Sequence, residues 1–192
     1  VSLEAEAAEI EKAQYEVGVN LVREIEAAAA YTRTGGHHGR NKLGYGTTGE
    51  WRDTDGVAAG IFVQHTSHEG DPHLHAHVTV WNRAQRADRG NAKYTTLDSR
   101  SLFAQRLRLA ALADRDMETR MTALGWPMVT REDGNGAEVA GVDRAVIDRF
   151  SSRRVKMVPE IEKLRAEYEE RHGHAPNARA LWLMKQHVSM KQ

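Results

Sequence analysis

Two histidines separated by one small apolar residue, at the head of a run of β-formers, constrain this chain more than any other feature. His75 and His77 lead into Val78, Thr79, Val80 and Trp81, a composition that favours an extended strand. Strand side chains alternate faces, so His75, His77, Thr79 and Trp81 share one face and Ala76, Val78 and Val80 the other. The aliphatic set is the expected core face. The histidine face then carries two imidazoles rooted about 7 Å apart, close enough to converge on one divalent cation.

Two imidazoles rarely complete a metal site, so a third protein group is expected nearby. The preceding run, residues 57–64, reads as a second strand whose apolar alternation (Val57, Ala59, Ile61, Val63) faces the same core. Gln64 then falls with Phe62 on the histidine side and is the first candidate for the third ligand. His65 is the alternative, if the strand bulges or ends there. His73 and His68 follow: His73 has the right parity but sits about 14 Å along the strand from His77. A histidine-rich turn that holds no metal is the plainer reading of the same residues.

The 192 residues suffice for one well-cored domain with an appendage. Charges are plentiful and sum to zero, which argues against a protein that coats polyanions indiscriminately but leaves local patches open. Cysteine is absent, so thiolate metal sites, disulfides and cysteine catalysis are excluded. No apolar run reaches the length of a membrane span and no secretory signal is present, so a cytoplasmic location is expected.

Around the histidine hairpin, helical periodicity alternates with extended stretches. Residues 3–31 form an expected amphipathic helix with the stripe Ile10, Val17, Leu21, Ile25 and Ala28; Gly18 costs about 1 kcal/mol relative to alanine without breaking it. A glycine-rich loop with His37, His38, Arg40 and Lys42 follows, matching no phosphate-loop pattern. A second long helix runs from a cap at Asp98 or Ser99 to Leu124, with Phe103, Leu107, Ala110, Ala113, Met117, Met121 and Leu124 as the expected core stripe. Residues 128–131 and 137–142 make another hairpin, and Asp143 caps a short helix. A helix from Pro159 to residue 172 and a last one capped by Asn177 resemble a connector. The expected class is α+β: an antiparallel sheet with helices packed on one face. Arg83, Arg86 and Arg89, in the turn after the histidine strand, and Arg153 and Arg154 are candidate contacts to nucleic-acid phosphates; ordinary surface arginines are the alternative.

The stretch Phe62-Val63-Gln64-His65-Thr66-Ser67, then Asp71-Pro72-His73-Leu74-His75-Ala76-His77 and Asn82, resembles the metal motif of the TrwC-type (MobF) conjugative relaxases, which are HUH endonucleases. The resemblance continues through residues 94–100, Leu124-Gly125, residues 138–142 and residues 150–154. It implies a relaxase domain over residues 1–155, with residues 156–192 a helical connector or the start of a following module. It also implies nicking and strand transfer of single-stranded DNA at an origin of transfer. In that chemistry a tyrosine attacks the scissile phosphate, and one divalent ion (magnesium, manganese or zinc) held by three side chains orients it. Other proteins of the transfer complex are implied as partners.

Two departures stand out. The family's first metal histidine aligns with Gln64, and a carboxamide oxygen is the weaker ligand. None of Tyr15, Tyr31, Tyr45, Tyr94 or Tyr168 matches the family's nucleophile, which is expected upstream of Val1, so this chain alone is expected not to cleave DNA. The alternatives are a metal-dependent phosphodiesterase, for which Glu69 or Asp71 would have to serve as base, and a non-catalytic DNA-binding remnant.

Overall fold

A computed structural model of the chain describes residues 2–34, 49–88, 94–131, 134 and 136–190. The glycine-rich loop with His37, His38, Arg40, Lys42 and Tyr45 lies outside the described residues, as do Arg89 and part of the 132–136 turn. The class is α+β, with helices and small antiparallel sheets. Where one sheet was expected, the described residues form three two-stranded ladders, β1–β2, β3–β4 and β5–β6.

The chain divides into two compact units, residues 1–65 with 74–140 and residues 66–73 with 141–192. In the first, α1 (Leu3–Ala29) is capped by Ser2, whose hydroxyl accepts the Ala5 N–H, and carries Glu4 and Glu6 in its first turn, where the helix dipole favours acids. The helix stops short of the expected residue 31. Tyr31 opens β1 (Tyr31–Thr34), which pairs antiparallel with β2 (Glu50–Asp53). The wholly buried Thr32 also bridges Leu97, and the Asp98 N–H donates to the Tyr31 carbonyl. These backbone partners outweigh the helical periodicity that predicts a helix to residue 31.

β3 (Ala59–Thr66) and β4 (Pro72–Val80) form the histidine hairpin. At its open end the Trp81 N–H donates to the Ala58 carbonyl at 2.8 Å. Burial follows the expected alternation except at Ala59, which is exposed, and His75, which is partly covered: Ile61, Val63, Leu74, Ala76, Val78 and Val80 are partly covered, while Phe62, Gln64, His77 and Thr79 are exposed. α1 lies on the covered face. A Cβ on Gly18 would sit 2.9 Å from Ile61 Cγ2 and 3.6 Å from Val78 Cγ2, so glycine lets the helix backbone reach the hairpin.

α2 (Ser99–Ala123) packs along α1, and its Arg120 donates to Asp116 (2.9 Å) and to Glu16 of α1. Burial works against the charge on Arg120, but those hydrogen bonds hold its pKa above the usual guanidinium value. The expected core stripe of α2 is only partly right. Phe103 and Leu107 are 68% and 76% exposed, and the buried residues are Leu109 and Met121. A spacing of three and four allows two neighbouring stripes on an alanine-rich helix: burial keeps the expected one at Ala113, Met117 and Met121 and moves to Leu102, Gln105 and Leu109 nearer the N-terminus. β5 (Met128–Thr130) and β6 (Ala137–Val139) complete this unit.

In the second unit α3 (Arg144–Arg149) is capped by Asp143, as expected. α4 (Ser152–His172) starts about two turns earlier than Pro159, which lies inside it; a 155/156 boundary therefore falls within this helix. It ends at Gly173 in the left-handed conformation, φ +73°. α5 (Ala178–Ser189), capped by Asn177, packs on α4.

Candidate metal centre and nucleic-acid face

β4 carries His75 and His77 on one face because one residue separates them. Their rings meet edge to face with centroids 4.9 Å apart, and the two Nε2 atoms approach to 3.1 Å. Two nitrogen lone pairs at that distance repel unless a proton or a cation lies between them. With metal–nitrogen bonds of roughly 2.0–2.1 Å, the same separation subtends about 95–100° at an ion, between the tetrahedral and octahedral values. The pair therefore fits two neighbouring positions of a metal coordination sphere.

Gln64 is exposed on the Phe62 face of β3. His65 turns the other way: its Nε2 is 3.2 Å from Glu11 Oε2 on α1. His68 and His73 are exposed. Among the described residues no group of three histidine, cysteine, aspartate or glutamate side chains is arranged to hold a metal ion. A carboxamide oxygen lies outside that set of donors, which leaves Gln64 the candidate with the right parity.

The two acids considered as hydrolytic bases are both engaged with α4. Asp71 Oδ2 accepts the Ser152 N–H (2.8 Å) and its Oδ1 accepts the Ser152 hydroxyl (2.7 Å). Ser151, the residue at the formal cap position, makes no side-chain cap bond, so Asp71 caps α4 from a distant part of the chain. Glu69 pairs with Lys156 at 2.5 Å.

The candidate phosphate contacts separate. Arg83 is exposed. Arg86 is only 7% exposed, and its Nε and Nη2 grip the Asp88 carboxylate at 2.8 and 2.5 Å; this fork, the chief cause, holds the Asp88 pKa below its ordinary value. Arg86 thus serves the loop's own structure. Arg153 is exposed and reaches the Ser189 hydroxyl at 2.6 Å, and Arg154 is exposed.

The model of the TrwC relaxase family matches residues 1–191. The chain belongs to the TrwC relaxase family. Solved structures agree on the fold of this TrwC-family chain. A metal-free complex of the conjugative relaxase TrwC with OriT DNA is 24% identical, with a TM-score of 0.64 over 94% of this chain and 57% of that one. The metal-bound complex gives the same identity and TM-score, and a copper-bound complex gives 0.65 over 55% of its chain. The chain thus spans a little over half the length of the TrwC chains it matches. Among curated proteins nothing matches.

The TrwC-family chain also has an aromatic and basic cluster to which the sequence reading gave no role. Trp81 and Tyr94 lean together, centroids 5.3 Å apart, each 53% exposed. Nearby, Asp98 has a nearly buried side chain that binds Arg33 Nε at 2.6 Å and accepts the Trp51 Nε1–H at 2.9 Å while capping α2. Arg33 in turn lies 5.3 Å from the Trp51 ring centre. Tryptophan and tyrosine interleaved with arginine on both sides of the histidine strand was the signal available in the sequence.

Proposed function

We propose that this chain carries the metal-binding half of a relaxase active site, and that the parent protein nicks and transfers single-stranded DNA at an origin of transfer. The observation that carries the proposal is the His75–His77 pair, whose Nε2 atoms stand 3.1 Å apart on a solvent-facing strand, in a chain matched by the relaxase family along its length. His75 and His77 supply two ligands and Gln64 the third, by its carboxamide oxygen. A divalent ion held there supplies Lewis-acid neutralisation and orientation of a phosphodiester. The exposed face beside it, with Arg83 and the aromatic rings, positions the strand. In the transfer step a tyrosine oxygen replaces the deoxyribose 3′-oxygen at phosphorus, leaving a 5′-phosphotyrosyl bond and a free 3′-hydroxyl. We assign that tyrosine to no residue of this chain. Tyr31 stacks on Trp51 and Tyr168 packs among His172 and His174.

A hydrolytic metal centre fits less well, because Glu69 and Asp71, the two acids considered as its base, are both committed to α4. The test is to incubate the chain with manganese and a single-stranded oligonucleotide bearing an origin-of-transfer site, then separate the products under denaturing conditions. The expected outcome is binding without cleavage. A covalent protein–DNA band would refute the assignment of the nucleophile elsewhere. Released free fragments abolished by His75→Ala would favour the hydrolase.

A further inference from the structure

On the metal face of the hairpin Phe62 precedes Gln64 by two residues, so their side chains share that face. Two contacts fix what lies across from it. A Cβ on Gly18 would meet both Ile61, at 2.9 Å, and Val78, at 3.6 Å, and the Trp81 N–H donates to the Ala58 carbonyl. Both give one antiparallel register, in which Phe62 faces His77 and Gly60 faces Thr79. Opposed Cβ atoms on one face lie about 4.5–5.5 Å apart, so a phenyl ring is rooted beside a candidate metal ligand. The ring is 58% exposed and lies over Gly60, where an added Cβ would sit 2.8 Å from Phe62 Cε2 and 3.0 Å from Cζ. Gly60 is not among the glycines with positive φ, so its backbone tolerates a side chain and only the ring stands in the way of one.

Strand side chains lean along the chain in one of two common directions. Over Gly60 the Phe62 ring leans away from Gln64. The other direction carries it toward Gln64 and over the ion that Gln64, His75 and His77 would share. We propose that Gly60 is a positioning residue of the metal site: its missing side chain is a seat that holds the Phe62 ring off the ion and leaves the remaining coordination positions open. The inference rests on the metal-site reading above and deepens it, by naming what keeps that site accessible. Three protein ligands leave a six-coordinate ion such as manganese about three positions, and a phosphodiester must take one or more of them from water. A phenyl ring offers no donor atom, so a ring swung over Gln64 excludes water and phosphate alike. Filling the seat at residue 60 therefore closes the site without altering a ligand.

The test counts the waters on bound manganese, from the relaxation of bulk water protons per bound ion, a quantity that a purely structural glycine would not move. Gly60→Ala is expected to lower it by about one third or more, which is the loss of at least one of roughly three open positions. Gly60→Val should lower it at least as far. Phe62→Ala alone leaves the wild-type value, and the double variant Gly60→Ala, Phe62→Ala returns to it. If Gly60→Ala leaves the value unchanged, or Phe62→Ala alone raises it, the seat is overturned while the metal-site reading survives. If Gly60→Ala stops binding manganese, recovery in the double variant upholds the seat and failure to recover overturns it. If the wild type binds no manganese, the metal-site reading falls and takes this inference with it.

Discussion

His75 and His77 differ from Gln64 in what their donor atoms offer a cation. Imidazole nitrogen binds borderline divalent ions strongly, whereas a carboxamide oxygen is a weak, hard donor. His75→Ala or His77→Ala should therefore lower manganese or zinc affinity by roughly 100-fold, and Gln64→Ala by on the order of tenfold. His65→Ala should leave it unchanged, since that ring faces Glu11. Calorimetric titration of the four variants checks this, and the opposite ranking of Gln64 and His65 would reassign the third ligand. A second residue-scale consequence concerns Arg86 and Asp88. The folded-state pKa of Asp88 is depressed, so the unfolded chain binds that proton more readily and the fork stabilises the fold above the ordinary aspartate pKa near 3.8. The contribution fades as pH falls through the lower, folded value. Thermal melts from pH 7 to 3 should show Asp88→Asn destabilised at neutral pH and converging on wild type in acid. At this scale the two histidines were legible because one-residue spacing on a strand fixes a face. The role of Arg86 was not, because nothing in its sequence context distinguishes a buried fork from an exposed phosphate contact.

Between α1 and the histidine hairpin, one missing methyl group sets the approach. Gly18→Ala gains about 1 kcal/mol of helix propensity, but its Cβ would press on the branched Ile61 at 2.9 Å, and overpacking of this kind costs about 1–3 kcal/mol. The net effect should be a loss of stability by about 1 kcal/mol in chemical denaturation, and Gly18→Val should lose more. The sequence reading weighed this glycine only as a weak helix former, since propensity is local and the hairpin beneath is not. α4 teaches the same lesson. Its start at Ser152 was hidden by Pro159, because the residue that caps it, Asp71, lies far away in the chain. Asp71→Ala should fray the first turn of α4 at a cost of about 1–2 kcal/mol, whereas Asp71→Asn should retain most of the cap. Amide exchange at residues 153–156 reads the difference.

For the molecule as a whole, a formal charge of zero means that the DNA affinity we propose would come from placed cations and not from a general field. If about three phosphates are contacted, the logarithm of affinity for single strands should fall with the logarithm of salt with a slope near −2. Arg83→Ala should make it shallower by about 0.7, while Arg86→Ala should lower stability and leave the slope alone. The α+β class and the order of the main helices and two of the hairpins were readable from periodicity, and the family from spaced motifs. The strands at Tyr31–Thr34 and Glu50–Asp53 were not, since they are short and carry Arg33, Arg52 and two acids, with no apolar alternation to announce them.

The turn at 66–73 clusters with residues 141–192 although it interrupts the stretch between β3 and β4. The last quarter or so of the chain is consequently no detachable tail: a protein trimmed at residue 140 for crystallisation would strand Asp71 and Glu69 without their counterparts. Shortening this polypeptide from its carboxyl end should slacken a loop that, in linear order, looks entirely unrelated to the cut.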